Sequence, residues 1–126
     1  MRRRLAAFAL LIFAACSSGD ANEVTMTAHA FEPATITIQA GESVAWRNTS
    51  SEQHTVTADE SALPDGADYF SSGDAPDEAA ANDDLSGELI DVGQEFTFTF
   101  DKPGTYAYYC ILHRSDGMEG KVVVEP

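Results

Sequence analysis

Residues 105–124 read TYAYYCILHRSDGMEGKVVV. The first six alternate, with Tyr106, Tyr108 and Cys110 on one side and Thr105, Ala107 and Tyr109 on the other, which is the period of a strand. The valines that close the segment, within residues 121–124, predict a second strand. Between the two lie Cys110, His113 and Met118, spaced Cys-x2-His-x4-Met. A thiolate, an imidazole and a thioether on one loop form a soft donor set. It suits copper, whereas magnesium and calcium take oxygen. Taken singly, a cysteine on an aromatic strand is usually a small hydrophobe and a methionine usually packing. The conjunction, placed just before a Gly-x-Val-Val strand, favours a metal loop. A trigonal His2Cys plane with a weak axial Met needs one more histidine. The chain has three, His29, His54 and His113. His54 starts a strand after a polar loop and is the natural candidate. His29 reads as a structural or exposed histidine at a strand end.

Working back towards the N-terminus, the same period of two recurs. It predicts strands over residues 24–28, 34–39, 43–48, 54–58 and 95–100, with turns at 40–42 and 101–104. Met26, Trp46, Phe96, Phe98 and Tyr106 read as core. Residues 59–91 differ: they hold 11 acidic residues, no basic ones and three glycines in 33 positions. A structureless loop of that length is unusual in a compact domain. The expectation is an inserted excursion carrying one short helix over 76–82, with Pro76 in its first turn, anchored by Tyr69, Phe70, Leu85, Leu89 and Ile90. Seven or eight short strands with turn signals between them predict an all-β Greek-key sandwich.

The N-terminus reads as a leader. Arg2, Arg3 and Arg4 precede an apolar run at 5–15, which is too short to span a bilayer and has the length of a secretory signal core. The expected division is a signal peptide over 1–15, a tether over 16–22 and one domain over 23–126. Phe13-Ala14-Ala15-Cys16 resembles a bacterial lipoprotein signal in which Cys16 becomes the lipidated N-terminus; an ordinary cleaved signal is the alternative. Either reading places the domain outside the cytoplasm, in the periplasm or on the outer face of the cell membrane. Once Cys16 is lipidated or removed, Cys110 is left without a disulfide partner. Of 7 basic residues, three arginines lie in the leader, leaving four against 21 acidic and a net charge of −17. Such a surface argues against nucleic acid and anionic lipid as partners. It fits either docking to a basic redox protein or adaptation to high salt. The even spread of acid and the scarcity of lysine favour the second.

With these motifs placed, the chain resembles the plastocyanin-like cupredoxins, especially the halocyanin-type lipoproteins. The marks are Phe31-Glu32-Pro33, Gly41-Glu42-Ser43-Val44-Ala45-Trp46, His54-Thr55-Val56-Thr57, Pro103-Gly104-Thr105-Tyr106 and the final loop running into Gly120-Lys121-Val122. The resemblance implies an eight-strand cupredoxin sandwich and one copper ion held by His54, Cys110, His113 and Met118. It implies that the Thr55 amide donates to the Cys110 sulfur and that His113 reaches the surface. Electrons would leave through His113, ringed by Leu112 and Ile111, with Tyr109 as a second route. Leu112 stands where the family often has Pro, and the acidic excursion is longer than in simple members. The expected function is single-electron transfer by a monomeric carrier between redox protein partners. Four protein ligands leave no open position for a substrate, which argues against an enzyme. A copper delivery or buffering protein would use the same ligands, and a metal-free adhesion sandwich is a further alternative. A dinuclear copper site needs a second loop cysteine, and a copper oxidase needs more histidines.

Overall fold

The computed structural model describes residues 22–126. The leader over 1–15 and Cys16 lie outside the described residues. Eight strands form: β1 (Glu23–Met26), β2 (Phe31–Glu32), β3 (Thr35–Gln39), β4 (Ser43–Asn48), β5 (Thr57–Ala58), β6 (Glu95–Thr99), β7 (Gly104–Tyr109) and β8 (Glu119–Glu125). They make two four-stranded sheets, ordered β2-β1-β4-β6 and β3-β8-β7-β5. The β1–β4 and β3–β8 pairs are parallel and the others antiparallel. From β2 to β7 every connection passes from one sheet to the other, so both sheets depend on the same core.

That core follows from the alternation in the sequence. On β4, Val44 and Trp46 are fully buried, and they face Phe98 and Phe96 of β6 in register. Trp46 stacks on Phe96 with centroids 5.5 Å apart and meets the edge of Tyr108, on the opposite sheet, at 5.4 Å. Tyr108 pairs with Gly120 across β7 and β8, where a Cβ at Gly120 would collide with the Tyr108 ring. The glycine in the Gly-x-Val-Val motif is therefore a packing requirement.

Two expectations are corrected. The strand expected over 54–58 is reduced to isolated bridges from His54 to Ile90 and from Thr57 to Ser71 and to the two-residue β5. Its donors are diverted: the Thr55 amide goes to the Cys110 sulfur and the Val56 amide to Ser72 Oγ. The excursion holds two α-helices rather than one, α1 (Glu78–Asp83) and α2 (Leu85–Glu88), as well as a 3-10 turn at Glu60–Ala62. Pro76 lies outside α1, because Asp77 is the N-cap and accepts from the Ala80 amide at 2.8 Å. Asp84 ends α1 and caps α2. Phe70 and Ile90 are buried in the main core, with Tyr69, Leu85 and Leu89 half-buried. Glu88 is also buried, its carboxylate accepting from the Gly73 amide at 2.7 Å.

Candidate metal centre

Cys110 follows directly on β7, and the chain then closes a tight loop. The His113 amide donates to the Cys110 carbonyl, the Met118 amide to the His113 carbonyl and the Cys110 amide to the Met118 carbonyl, at 3.3, 3.2 and 3.0 Å. A single 3-10 turn at Arg114–Asp116 ends on Gly117. Gly117 has φ +80°, in the left-handed region that favours glycine, and this reversal brings Met118 back beneath Cys110. His54, Cys110 and Met118 are all fully buried.

His54 Nδ1 lies 3.8 Å from Cys110 Sγ. A first-row metal ion held in a trigonal plane at about 2.0–2.3 Å from N and S donors would space them by about 3.7 Å. The buried pair therefore fits a metal ion between its two donor atoms. On the far side of the ring, His54 Nε2 lies 2.9 Å from Ser50 Oγ. Ser50 has one hydroxyl proton and two acceptors in reach, Asn48 Oδ1 at 2.8 Å and the Glu52 carbonyl at 3.1 Å. The Glu52 carbonyl already accepts from Asn48 Nδ2 at 2.7 Å. Satisfying every member has Ser50 donate to Asn48 Oδ1 and His54 Nε2–H donate to Ser50. Nδ1 is then the unprotonated nitrogen that faces the sulfur. Burial, reinforced by the neighbouring His113, holds His54 below the ordinary histidine range and keeps its ring neutral. The sulfur accepts from the Thr55 amide at 3.3 Å, and Thr55 Oγ1 accepts from the Ile111 amide at 2.9 Å, tying the two halves of the site together.

His113 stands at the rim, its side chain 16% exposed and its ring centroid 5.1 Å from that of His54. Its Nε2 lies 3.3 Å from Glu52 Oε2 and its Nδ1 3.6 Å from Asp116 Oδ2. The structure thus places His54, Cys110 and Met118 like ligands, and sets His113 beside them with a carboxylate near each nitrogen. The rim is more polar than the apolar ring expected there. Leu112 is exposed and Ile111 half-buried, but Glu52, Asp116 and His29 also crowd the imidazole. Tyr109 is buried: the Arg114 guanidinium lies 3.8 Å above its ring, and its hydroxyl accepts from Asn82 at 3.0 Å. The sequence reading missed Asn48, Ser50 and Glu52. The available signal was chemical, since a buried metal-binding imidazole must place its second nitrogen somewhere.

Comparison with known families matches residues 18–125 to the copper binding proteins of the plastocyanin/azurin family. Chloroplastic plastocyanin of Tetradesmus obliquus is 40% identical over 95 residues, covering 75% of this chain and 58% of the algal protein. Plastocyanin of Scenedesmus fuscus is 36% identical over 95 residues, covering 75% of this chain and 86% of that protein. Among solved structures, amicyanin from Paracoccus versutus superposes with a TM-score of 0.61 at 28% identity, covering 84% of this chain and 82% of that one.

Proposed function

Since the chain belongs to the plastocyanin/azurin family of copper-binding proteins, we propose that it is a type 1 blue copper protein shuttling single electrons between redox proteins. The reading is carried by one observation, the buried His54 Nδ1 facing Cys110 Sγ at 3.8 Å with the Thr55 amide on the same sulfur. His54, Cys110, His113 and Met118 would hold the copper ion. When bound, copper supplies a one-electron couple. The protein supplies the rest. Ser50 holds the His54 ring, and the Thr55 N–H withdraws charge from the thiolate, which tunes the potential. Burial of the donors excludes water. With four protein ligands no position is open to a substrate, so no bond is made or broken and the protein is a carrier rather than an enzyme. Electrons leave at the His113 edge beside Leu112, and Tyr109, next to Cys110 in the chain, offers a second route beneath Arg114. The leader exports the chain, and Cys16 is lipidated as in halocyanin-type proteins. The domain over 23–126 then works as a monomer tethered to the outer face of a membrane.

Copper loading of the full chain tests this reading. An intense blue thiolate-to-copper band is expected, persisting through dialysis against a chelator. Cys110→Ser should abolish it, because an oxygen donor lacks the covalency of sulfur. Met118→Gln should keep copper and lower the potential, since an amide oxygen favours Cu(II). A blue Cys110→Ser variant would remove Cys110 from the site. Ready loss of copper to the chelator would instead point to delivery or buffering.

A further inference from the structure

Three loops meet at the end of the sandwich outside the buried donors. The β1–β2 turn brings His29, the loop after β4 brings Glu52 and the loop after β7 brings His113. Glu52 Oε2 lies between two imidazoles, 3.3 Å from His113 Nε2 and 3.7 Å from His29 Nε2. The three donor groups all lie within 4.8 Å of one another. That oxygen is sealed from solvent and accepts no hydrogen bond from any described residue. A shielded carboxylate oxygen that accepts no hydrogen bond is costly unless positive charge, a protonated imidazole or a metal ion, sits against it. Tetrahedral donors at about 2.0–2.2 Å from an ion are spaced by about 3.3 Å. The Glu52–His113 distance already matches. His29 Nε2, at 3.7 Å from the carboxylate, is farther than that spacing, and its side chain is 55% exposed, so it must move inward to complete the set.

From this arrangement we propose that His29, Glu52 and His113 form a surface site for a divalent transition-metal ion of the zinc class. Two imidazole nitrogens and one carboxylate oxygen favour such an ion over magnesium or calcium. The Asp116 carboxylate at the opposite nitrogen of His113 is placed as outer-sphere carboxylates are, where they strengthen a metal-binding imidazole. The chain supplies three donors, so a fourth position is left to water and the ion can exchange. The acidic surface concentrates cations around it. Because it takes Nε2 of His113 and leaves Nδ1 to Asp116, the site competes with the copper centre proposed above for that imidazole, and it uses neither Cys110, His54 nor Met118.

Zinc titration of the full-length Cys110→Ser chain without copper, followed by calorimetry, tests the site apart from the buried thiolate. One zinc ion per chain is expected. Adding His29→Ala or Glu52→Gln should weaken it at least tenfold, and both residues are exposed enough for the fold to survive. Zinc affinity within twofold of the parent after removal of His29 would put the ion elsewhere and overturn the proposal. So would a parent chain that binds no zinc up to millimolar concentration, which would leave the cluster as histidine–carboxylate ion pairs. The spectrum of the copper-loaded wild-type chain is recorded alongside. A colourless wild type overturns the copper reading and leaves the zinc result standing.

Discussion

Ser50 shows what a single hydroxyl can decide. It accepts from the Glu52 amide at 3.1 Å and from His54 Nε2, and its proton goes to Asn48 Oδ1. Asn48 is itself buried and donates to the Ile90 carbonyl at 3.0 Å, so the network is anchored in the β-sheet. Ser50→Ala leaves His54 Nε2 without this partner and frees the ring to choose the other tautomer. The expected result is a folded protein whose copper affinity falls by about 10–100-fold, with recovery in Ser50→Thr. Competition against a chelator, read on the thiolate-to-copper band, measures it. Equal affinity in the alanine variant would mean that packing alone orients His54. The nearness of Cys110 and Met118 was legible in the sequence because one short loop carries both, with His113 between them. Ser50 and Glu52 were not, although they stand four and two residues from His54. Their roles depend on which ring nitrogen faces which loop, and no residue pattern encodes that.

At the level of elements, alternation was a good guide wherever a strand buries one face, as in β4 and β6, and a poor one where the site intrudes. The segment 54–58 has the composition of a strand, but the Thr55 and Val56 amides in its middle serve the sulfur and Ser72 instead of a ladder. The acidic excursion hid its structure for a different reason. Its helices are one or two turns long, and side-chain caps at Asp77 and Asp84 fix them rather than any apolar period. Its link to the core runs through Phe70, which stacks on Phe98 at 5.0 Å and meets the edge of Phe100 at 5.2 Å. Phe70 is 2% exposed, so the excursion is part of the sandwich rather than an ornament on it. Phe70→Ala should cost about 3–5 kcal/mol in the copper-free form. Leu85→Ala, at a half-buried position, should cost less than half as much. Denaturant unfolding of the two variants compares them. A mild effect at Phe70 would show that residues 59–91 fold onto a core that is complete without them.

Over the whole molecule, charge is the dominant feature. The described residues carry four cations, Arg47, Lys102, Arg114 and Lys121. Arg47 lies between Glu23 at 3.8 Å and Glu95 at 3.4 Å, and Arg114 between Asp59 and Glu119, both at 3.8 Å. Exposed pairs like these contribute about 0–1 kcal/mol each, far too little to offset a net charge of −17 over residues 16–126. Carboxylates occur at both ends and on both sheets, for example Glu23, Glu42, Glu95, Glu119 and Glu125, as well as in the excursion. Folding brings them closer than they are in the unfolded chain, so repulsion opposes the native state and screening relieves it. The Debye length shrinks from about 10 Å at 0.1 M salt to about 3 Å at 1 M. If screening returns about 1–2 kcal/mol, Tm should rise by roughly 4–16 °C between dilute buffer and molar potassium chloride, with or without copper. Calorimetric melts across that range test the expectation. A Tm that stays flat would remove repulsion as a main term and leave the acid to docking. Electron-transfer rates with a basic partner separate the two uses of charge. A fold that needs salt with rates that tolerate it marks adaptation of the whole surface. Rates that collapse in salt while Tm stays flat mark residues 59–91 as a docking face.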